Sequence, residues 1–300
     1  MNDDILVSGF TFIKNGISLG YPFIESIKSI DPICDEIIIN VGFDDEALSE
    51  NDGTFELIKQ EFSHPKFKII KSFWDPKLTE KGLVLSEQTN IALKECVGKY
   101  CLYIQGDEVI HENDLANIQD QILKMDSYPD IDGLVFNYYH FYGNVDVIKH
   151  TRNTYRREVR VIRNKIGLIS HLDAQGFRFQ DGKKPRCLLT QAYIYHYGWA
   201  RETSVMDKKI KEMDKLYHGE NYERYQSQFE YRKIWGLKKF SGTHPQCVEK
   251  WVSKHRNSID VLSLPLKYTL KDLNLALADF IERLSGWRIG EYKGYKIIKV

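Results

Sequence analysis

An α/β protein with a mostly parallel central sheet is what this sequence predicts, on three observations. Up to about residue 110, short apolar β-branched runs alternate with segments of helical spacing. The stretches joining the runs are long enough for helical crossovers rather than hairpin turns. The run at 36–41, Glu-Ile-Ile-Ile-Asn-Val, is apolar almost throughout, as a strand covered on both faces is.

The elements follow in order. Residues 5–12 form the first apolar run, and Asn15-Gly16 opens the loop behind it. Pro22 is placed to start a helix, Phe23, Ile27 and Ile30 share one face of it, and Asp31-Pro32 stops it. The second strand is 36–41, followed by a polar, acidic loop at 42–53. A short helix at 54–62 has Asp52 as its cap. A third strand at 67–71 leads to a helix at 85–97 closed by Gly98, and a fourth strand is expected at 100–104. Beyond residue 130 the pattern changes: 133–142, 158–163 and 192–197 read as strands with no helices between them. A strongly charged amphipathic helix spans 201–217, and the last eighty or so residues read as mainly helical, 270–284 most clearly. The expected division is 1–200 as the principal domain and 201–300 as a helical extension packed on it.

Composition narrows the function. The chain has 300 residues with 42 Lys plus Arg against 42 Asp plus Glu, so no global charge draws it to nucleic acid or anionic lipid. The N-terminal Met1-Asn-Asp-Asp is acidic where a secretory signal would be basic, and no apolar run approaches the roughly 20 residues of a spanning helix. Cys34, Cys96, Cys101, Cys187 and Cys247 form no CxxC pair, and reduced thiols in a cytoplasmic protein are expected.

In a parallel sheet, ligands bind outside the carboxyl ends of the strands. Behind the four predicted strands come Lys14-Asn15-Gly16, then Asp44-Asp45-Glu46, then Trp74-Asp75, then Gln105-Gly106-Asp107-Glu108. Carboxylates crowded on one edge repel unless a cation neutralises them. A hard divalent cation would do so and would in turn bind a diphosphate. Neither a P-loop nor a G-x-G-x-x-G glycine loop is present to cradle phosphates instead. Nucleotide binding that depends on divalent metal is therefore expected.

Over roughly residues 4–200 these motifs resemble family 2 glycosyltransferases of the GT-A fold. Asn15 looks like the nucleotide-contacting residue behind the first strand. Asp44-Asp45, with Asp52-Gly53-Thr54, looks like the second-strand loop, in which one of the two aspartates would orient the nucleoside. Ser86 to Leu93 looks like the polar helix before the metal motif. Gln105-Gly106-Asp107-Glu108 occupies the position of the DXD motif; its first acid is Gln105 here, and Asp107 matches the metal-binding acid. The resemblance implies a manganese or magnesium ion held by Asp107 with His196 as a late ligand. It implies a nucleotide-sugar donor and a glycan or lipid-linked acceptor, in surface glycan or polysaccharide synthesis. It also implies a general base downstream of the metal motif, either Asp173 or His171 in Ser170-His171-Leu172-Asp173.

Other residues carry weaker signals. Arg152, Arg156, Arg157, Arg160 and Arg163 are candidates to hold a leaving diphosphate, and Tyr197 and Trp199 to close over a sugar. The basic, aromatic tail from Trp287 reads as a packed terminal segment, with a peripheral membrane contact as the alternative. Two other functions use the same scaffold: a non-catalytic nucleotide-sugar-binding protein, which Gln105 keeps open, and a sugar-nucleotide nucleotidyltransferase. The latter needs a basic glycine-rich N-terminal loop that Gly9-Phe10-Thr11-Phe12 does not resemble.

Overall fold

The computed structural model describes residues 5–78, 80–151, 154–219, 222, 228–256, 259–266, 269–288, 290–291 and 293–300. Its first part alternates strand and helix: β1 (Val7–Ile13), α1 (Phe23–Ile30), β2 (Glu36–Phe43), α2 (Thr54–Glu61), β3 (Phe67–Phe73), α3 (Leu83–Lys94) and β4 (Tyr100–Tyr103). There follow β5 (Glu108–Ile110), α4 (Leu115–Asp126), β6 (Gly133–Tyr142), β7 (Asn144–Lys149), β8 (Arg157–Arg163), β9 (Leu168–His171), β10 (Gly176–Phe179) and β11 (Arg186–Trp199). The chain ends with α5 (Thr203–His218), β12 (Leu237–Lys239), α6 (Glu249–His255), α7 (Leu270–Ser285) and β13 (Lys296–Ile297).

The sheet runs β12-β7-β6-β8-β4-β1-β2-β3. Strands β4, β1, β2 and β3 are parallel, as the sequence predicts, and β8 joins β4 antiparallel. Beyond β8 the pairings are mixed: β6 is antiparallel to β8 and β7 but parallel to β11. The protein is thus a mixed α/β fold with a parallel core and an antiparallel wing. The region after residue 200 is stitched into the same sheet, since β12 pairs with β7 and β13 with β11.

Period-2 alternation divides the core into two layers. Ile37, Ile39, Val41 and Phe43 of β2 and Tyr100 and Leu102 of β4 face α1, α2 and α4, packing on Ile27, Ile30, Ile58, Ile118 and Ile122. The alternate residues Phe10, Ile38, Cys101 and Tyr103 face α3 and the β9–β10 hairpin, against Ala92, Leu93, Leu168 and Phe177. All five cysteines are free thiols, four of them buried. Among the described residues no helix is long and apolar enough to cross a membrane.

One detail differs from expectation. Helix α3 ends at Lys94 rather than at Gly98, because Glu95 N–H closes the last turn on Ala92 O (3.1 Å). Gly98 lies instead in close contact with β1, near Ser8. In the terminal segment Trp287 is exposed, but Tyr295 is buried beside β8 and β11. The exposed apolar residues gather on α7, at Leu270, Leu273, Leu277, Phe280 and Leu284.

Helix α3 does more than cover the sheet. Asn40 Nδ2 donates to Gln88 Oε1 (3.0 Å), and Gln88 Nε2 donates to Phe73 O (3.0 Å), so a satisfied polar network ties α3 to β2 and β3. Asn90 clamps β9 from both sides: its Oδ1 accepts Ser170 N–H (2.8 Å) and its Nδ2 donates to Ser170 O (3.1 Å). Ser170 is buried, so Asn90→Ala leaves both backbone groups without these bonds. The expected cost is about 1–3 kcal/mol, read as a lowered urea midpoint at unchanged m-value.

Candidate functional site

Strand β1 lies between β2 and β4, and the chain departs from it first toward β2 and β3, then returns on the other side as β4. The strand order therefore reverses between β1 and β4, the point where open parallel sheets place a ligand crevice beyond the carboxyl ends of the strands. The β1–α1 loop forms one wall. Asn15 takes a left-handed conformation at its start (φ 54°), which asparagine tolerates better than most residues. The 105–107 turn behind β4 is drawn against α1: Ser26 Oγ donates to Gln105 O (2.8 Å). Gly106 allows a close approach there, since a Cβ would stand 2.6 Å from Ile13 Cδ1.

The predicted crowd of carboxylates does not form. Among the described residues no group of three or more His, Cys, Asp or Glu side chains converges. Each strand-end acid has a local partner instead. Asp44 is exposed and pairs with Lys14 (2.6 Å). Asp45 accepts Glu50 N–H (2.7 Å) and Ser49 N–H (2.9 Å) within its own loop, which lowers its pKa. Asp52 caps the start of α2 through Thr54 N–H (3.1 Å) and holds Ser18 N–H (2.8 Å). Asp75 caps its own turn at Lys77 N–H (2.8 Å). The repulsion argument for a metal therefore fails at these positions, because hydrogen bonds and lysines already balance them.

Glu108 points down into the protein. It is fully buried and bonds Arg160 Nη2 (2.7 Å), Arg160 Nε (2.9 Å) and Tyr138 OH (2.8 Å), while its Oε2 accepts Gln105 N–H (3.2 Å). The other described arginines of the predicted cluster are also engaged. Arg156 binds Glu291 and Glu282, Arg157 binds Asn137, and Arg163 binds the Met125 carbonyl. Arg152 lies outside the described residues.

Asp107 alone faces the crevice as a buried acid with several cationic neighbours. Its Oδ2 lies 3.1 Å from Lys209 Nζ and 3.7 Å from Arg201 Nη2; its Oδ1 lies 3.7 Å from His196 Nε2. Burial pushes its pKa up, but Lys209, His196 and Arg201 outweigh that and hold the carboxyl well below its usual range. His196 rests on a second histidine, Nδ1 to Nδ1 at 2.9 Å from His140, whose Nε2 meets the Tyr155 carbonyl at 2.7 Å. Burial and His196 keep His140 neutral, so its single proton goes to that carbonyl and its Nδ1 accepts from His196. The other ring nitrogen of His196, Nε2, is thereby turned toward Asp107. Gly198 makes this approach feasible: a Cβ would lie 2.7 Å from His196 Nε2 and 2.8 Å from Asp107 Oδ2.

Asp107 Oδ1 and His196 Nε2 fit a divalent metal as a two-point site. The hydrogen bond at the far nitrogen fixes the imidazole as metal-ligating histidines require. Magnesium and similar ions commonly take one or two protein ligands and complete their shell with water and substrate phosphate.

Asp173 sits in the turn between β9 and β10. Leu172 (φ 54°) and Ala174 (φ 58°) flank it in left-handed conformations that cost these residue types about 1–3 kcal/mol each. Its carboxyl accepts a long bond from Tyr217 OH (3.4 Å). Gln105 Nε2 reaches the Ala174 carbonyl (3.4 Å), so the turn bearing Asp173 and the turn bearing Asp107 touch through Gln105. His171 is exposed at the end of β9. Tyr197 is core, stacked on Phe141 at 4.6 Å, whereas Trp199 is exposed.

Sequence reasoning missed Lys209, Arg201 and His140. The signal for Lys209 was present: in the helix read as charged and amphipathic, it falls one turn after Met206, on the side that packs inward.

No family model and no curated protein matches the chain. Among solved structures it is similar to S. aureus TarS 1–349, at 12% identity and a TM-score of 0.38, over 70% of this chain and 65% of that one. TarS 1–349 in complex with UDP-GlcNAc aligns over 45% of this chain and 34% of that one, at 17% identity and a TM-score of 0.31. The mannosyltransferase PcManGT from Pyrobaculum calidifontis, in complex with GDP-Man and Mn2+, aligns over 47% and 36%, at 13% identity and a TM-score of 0.32. The chain thus spans from about a third to just under two thirds of the length of these solved chains, and likeness at this level carries no argument about activity.

Glu158 on β8 lies beneath the Asp173 turn, where Gln175 Nε2 donates to its Oε1 (3.0 Å). Burial pushes its carboxyl from an ordinary 4.5 up to about 8. The folded-state value exceeds the unfolded one, so the stability contribution is complete below pH 4.5 and is lost as pH rises toward 8. Glu158→Gln should remove that loss. Melting curves of both proteins from pH 4 to 9 should therefore diverge in favour of the variant at the alkaline end.

Proposed function

We propose that this protein transfers a sugar from a nucleotide-diphosphate sugar to an acceptor hydroxyl, in a single displacement that inverts the anomeric centre. The observation that carries the reading is the meeting, at the β1–β4 switch point, of an Asp107–His196 pair with a strained turn that carries Asp173. One site neutralises a leaving diphosphate while the other offers a carboxylate base, and glycosyl transfer needs both.

The β1–α1 loop, through Asn15, and the Asp44–Asp45 loop orient the nucleoside. A divalent metal held by Asp107 and His196 would supply positive charge to the diphosphate. Gln105, in contact with both turns, faces the donor sugar between them. Asp173 takes the proton of the acceptor hydroxyl as the acceptor oxygen bonds to the anomeric carbon. The bond from that carbon to the phosphate oxygen breaks, and the nucleoside diphosphate leaves with the electron pair. The acceptor is a glycan or a lipid-linked sugar in surface glycan synthesis.

A panel of UDP- and GDP-sugars screened by thermal shift with manganese, followed by hydrolysis assays, tests the reading. A bound ligand raises the melting temperature. Binding without turnover would favour a non-catalytic nucleotide-sugar-binding protein. Asp173→Asn should lower transfer by roughly two to four orders of magnitude with donor affinity unchanged. Unchanged transfer, with His171→Ala inactive, would move the base to His171. Asp107→Ala should abolish the manganese-dependent part of donor turnover over a full metal titration.

A further inference from the structure

We propose that Lys209 is a donor-diphosphate contact and the resident counter-ion of Asp107, so that nucleoside diphosphate binds this site without a divalent metal. The inference rests on the proposed nucleotide-sugar reading and assigns one of its binding residues.

The argument begins with the division of Asp107. Oδ1 faces the His196 imidazole and Oδ2 faces the Lys209 ammonium, so a metal at the first oxygen does not displace the lysine at the second. Lys209 Nζ spends one donor on Asp107 Oδ2 (3.1 Å) and one on Gly198 O (2.9 Å); an ammonium has three. Its position is set by the body of α5, with the Tyr21 ring 5.2 Å away on the β1–α1 loop. The Tyr21 ring covers one side of the ammonium, and the small exposed part of Lys209 is where its remaining donor would meet a phosphate.

Exposure supports access. The Asp107, His196 and Lys209 side chains are 11%, 12% and 10% exposed, so each shows a small part of itself to solvent. A diphosphate entering there meets a carboxylate, and in a poorly solvated cleft that repulsion is large unless a cation stands beside it. Lys209 is fixed at that point, with Arg201 behind it stacked 4.2 Å from the Tyr21 ring. A buried ammonium is costly unless it is paired. Pairing with Asp107 settles that cost in the empty site, and the same charge is in place when phosphate arrives. The sequence argument expects nucleotide binding to require metal; Lys209 supplies the screening that argument lacked.

The experiment is calorimetric titration of UDP and of GDP into wild type, Lys209→Met and Lys209→Arg, each with EDTA and with manganese. Wild type should bind at least one nucleotide in EDTA. Lys209→Met should lose roughly tenfold or more of that affinity, the worth of a charge-assisted hydrogen bond, and lose less in manganese. Lys209→Arg, which keeps the charge, should retain most of the EDTA affinity. Wild-type binding only in manganese would overturn the inference and leave the proposed function standing. Equal affinity of wild type and Lys209→Met in EDTA would also overturn it, making Lys209 a structural partner of Asp107. No binding by wild type in either buffer would overturn both readings. The two wild-type arms decide the matter even where a variant fails to fold.

Discussion

The site hangs on one buried ion pair. Glu108 and Arg160 are both without solvent exposure and meet at 2.7 and 2.9 Å. Glu108 also accepts the Gln105 N–H, which fixes the turn that aims Asp107 into the crevice. Arg160 Nη1 donates to the Gln175 carbonyl (2.9 Å), which fixes the turn that carries Asp173. A single pair thus joins the end of β4 and the middle of β8 to the β9–β10 hairpin and sets the relation between the turns that carry Asp107 and Asp173. Such a pair adds little net stability over an apolar replacement, but losing one partner strands the other charge at a cost of about 3–5 kcal/mol. Its worth lies in geometry: Glu108 and Arg160 offer forked, directional bonds that an apolar pair cannot.

The parallel half of the fold was legible because its strands are covered on both faces. Runs such as Ile37-Ile38-Ile39 have no polar alternation, and the helices between them have clear stripes and stops. The antiparallel wing was less so. Strands β5, β9 and β10 have three, four and four residues, too short to show a period, and they exist because of pairing with distant partners. The region after residue 200 was read as a helical extension, yet β12 and β13 are added to the sheet by backbone bonds that composition does not reveal.

At the site, residue types were legible and partnerships were not. Asp107 and His196 were singled out separately and the fold brings them to 3.7 Å. Asp44, Asp45 and Asp75 looked equivalent to Asp107 in sequence, each being an acid behind a strand. What separates them is burial, and burial follows from the topology. Asp107 stands where β4, β11 and α5 close over it, whereas Asp45 and Asp75 sit on loops whose own N–H groups satisfy them and the exposed Asp44 pairs with Lys14. The arginines from 156 to 163 misled for the converse reason: a guanidinium in sequence gives no sign of the carboxylate or carbonyl it will find across the sheet.

Backbone strain marks the same place by an independent route. Of the six non-glycine residues with positive φ among those described, Asn15, Lys81, Leu172 and Ala174 belong to segments around the crevice. Asn15 opens the β1–α1 loop, and Leu172 and Ala174 bracket Asp173. Lys81 precedes Gly82, where a Cβ would stand 3.2 Å from Asp173 Cβ and from Tyr217 Cζ. Packing alone would relax such conformations unless the surroundings over-determine them. Here they do: Asn90 clamps Ser170 on one side of the turn, and Arg160 with Glu158 grips Gln175 on the other. With both shoulders of the turn held, its strained centre has no free direction in which to unwind. The Asp173 carboxyl is thereby carried on a rigid turn beside Gln105, the preorganisation that a general base needs before its substrate arrives.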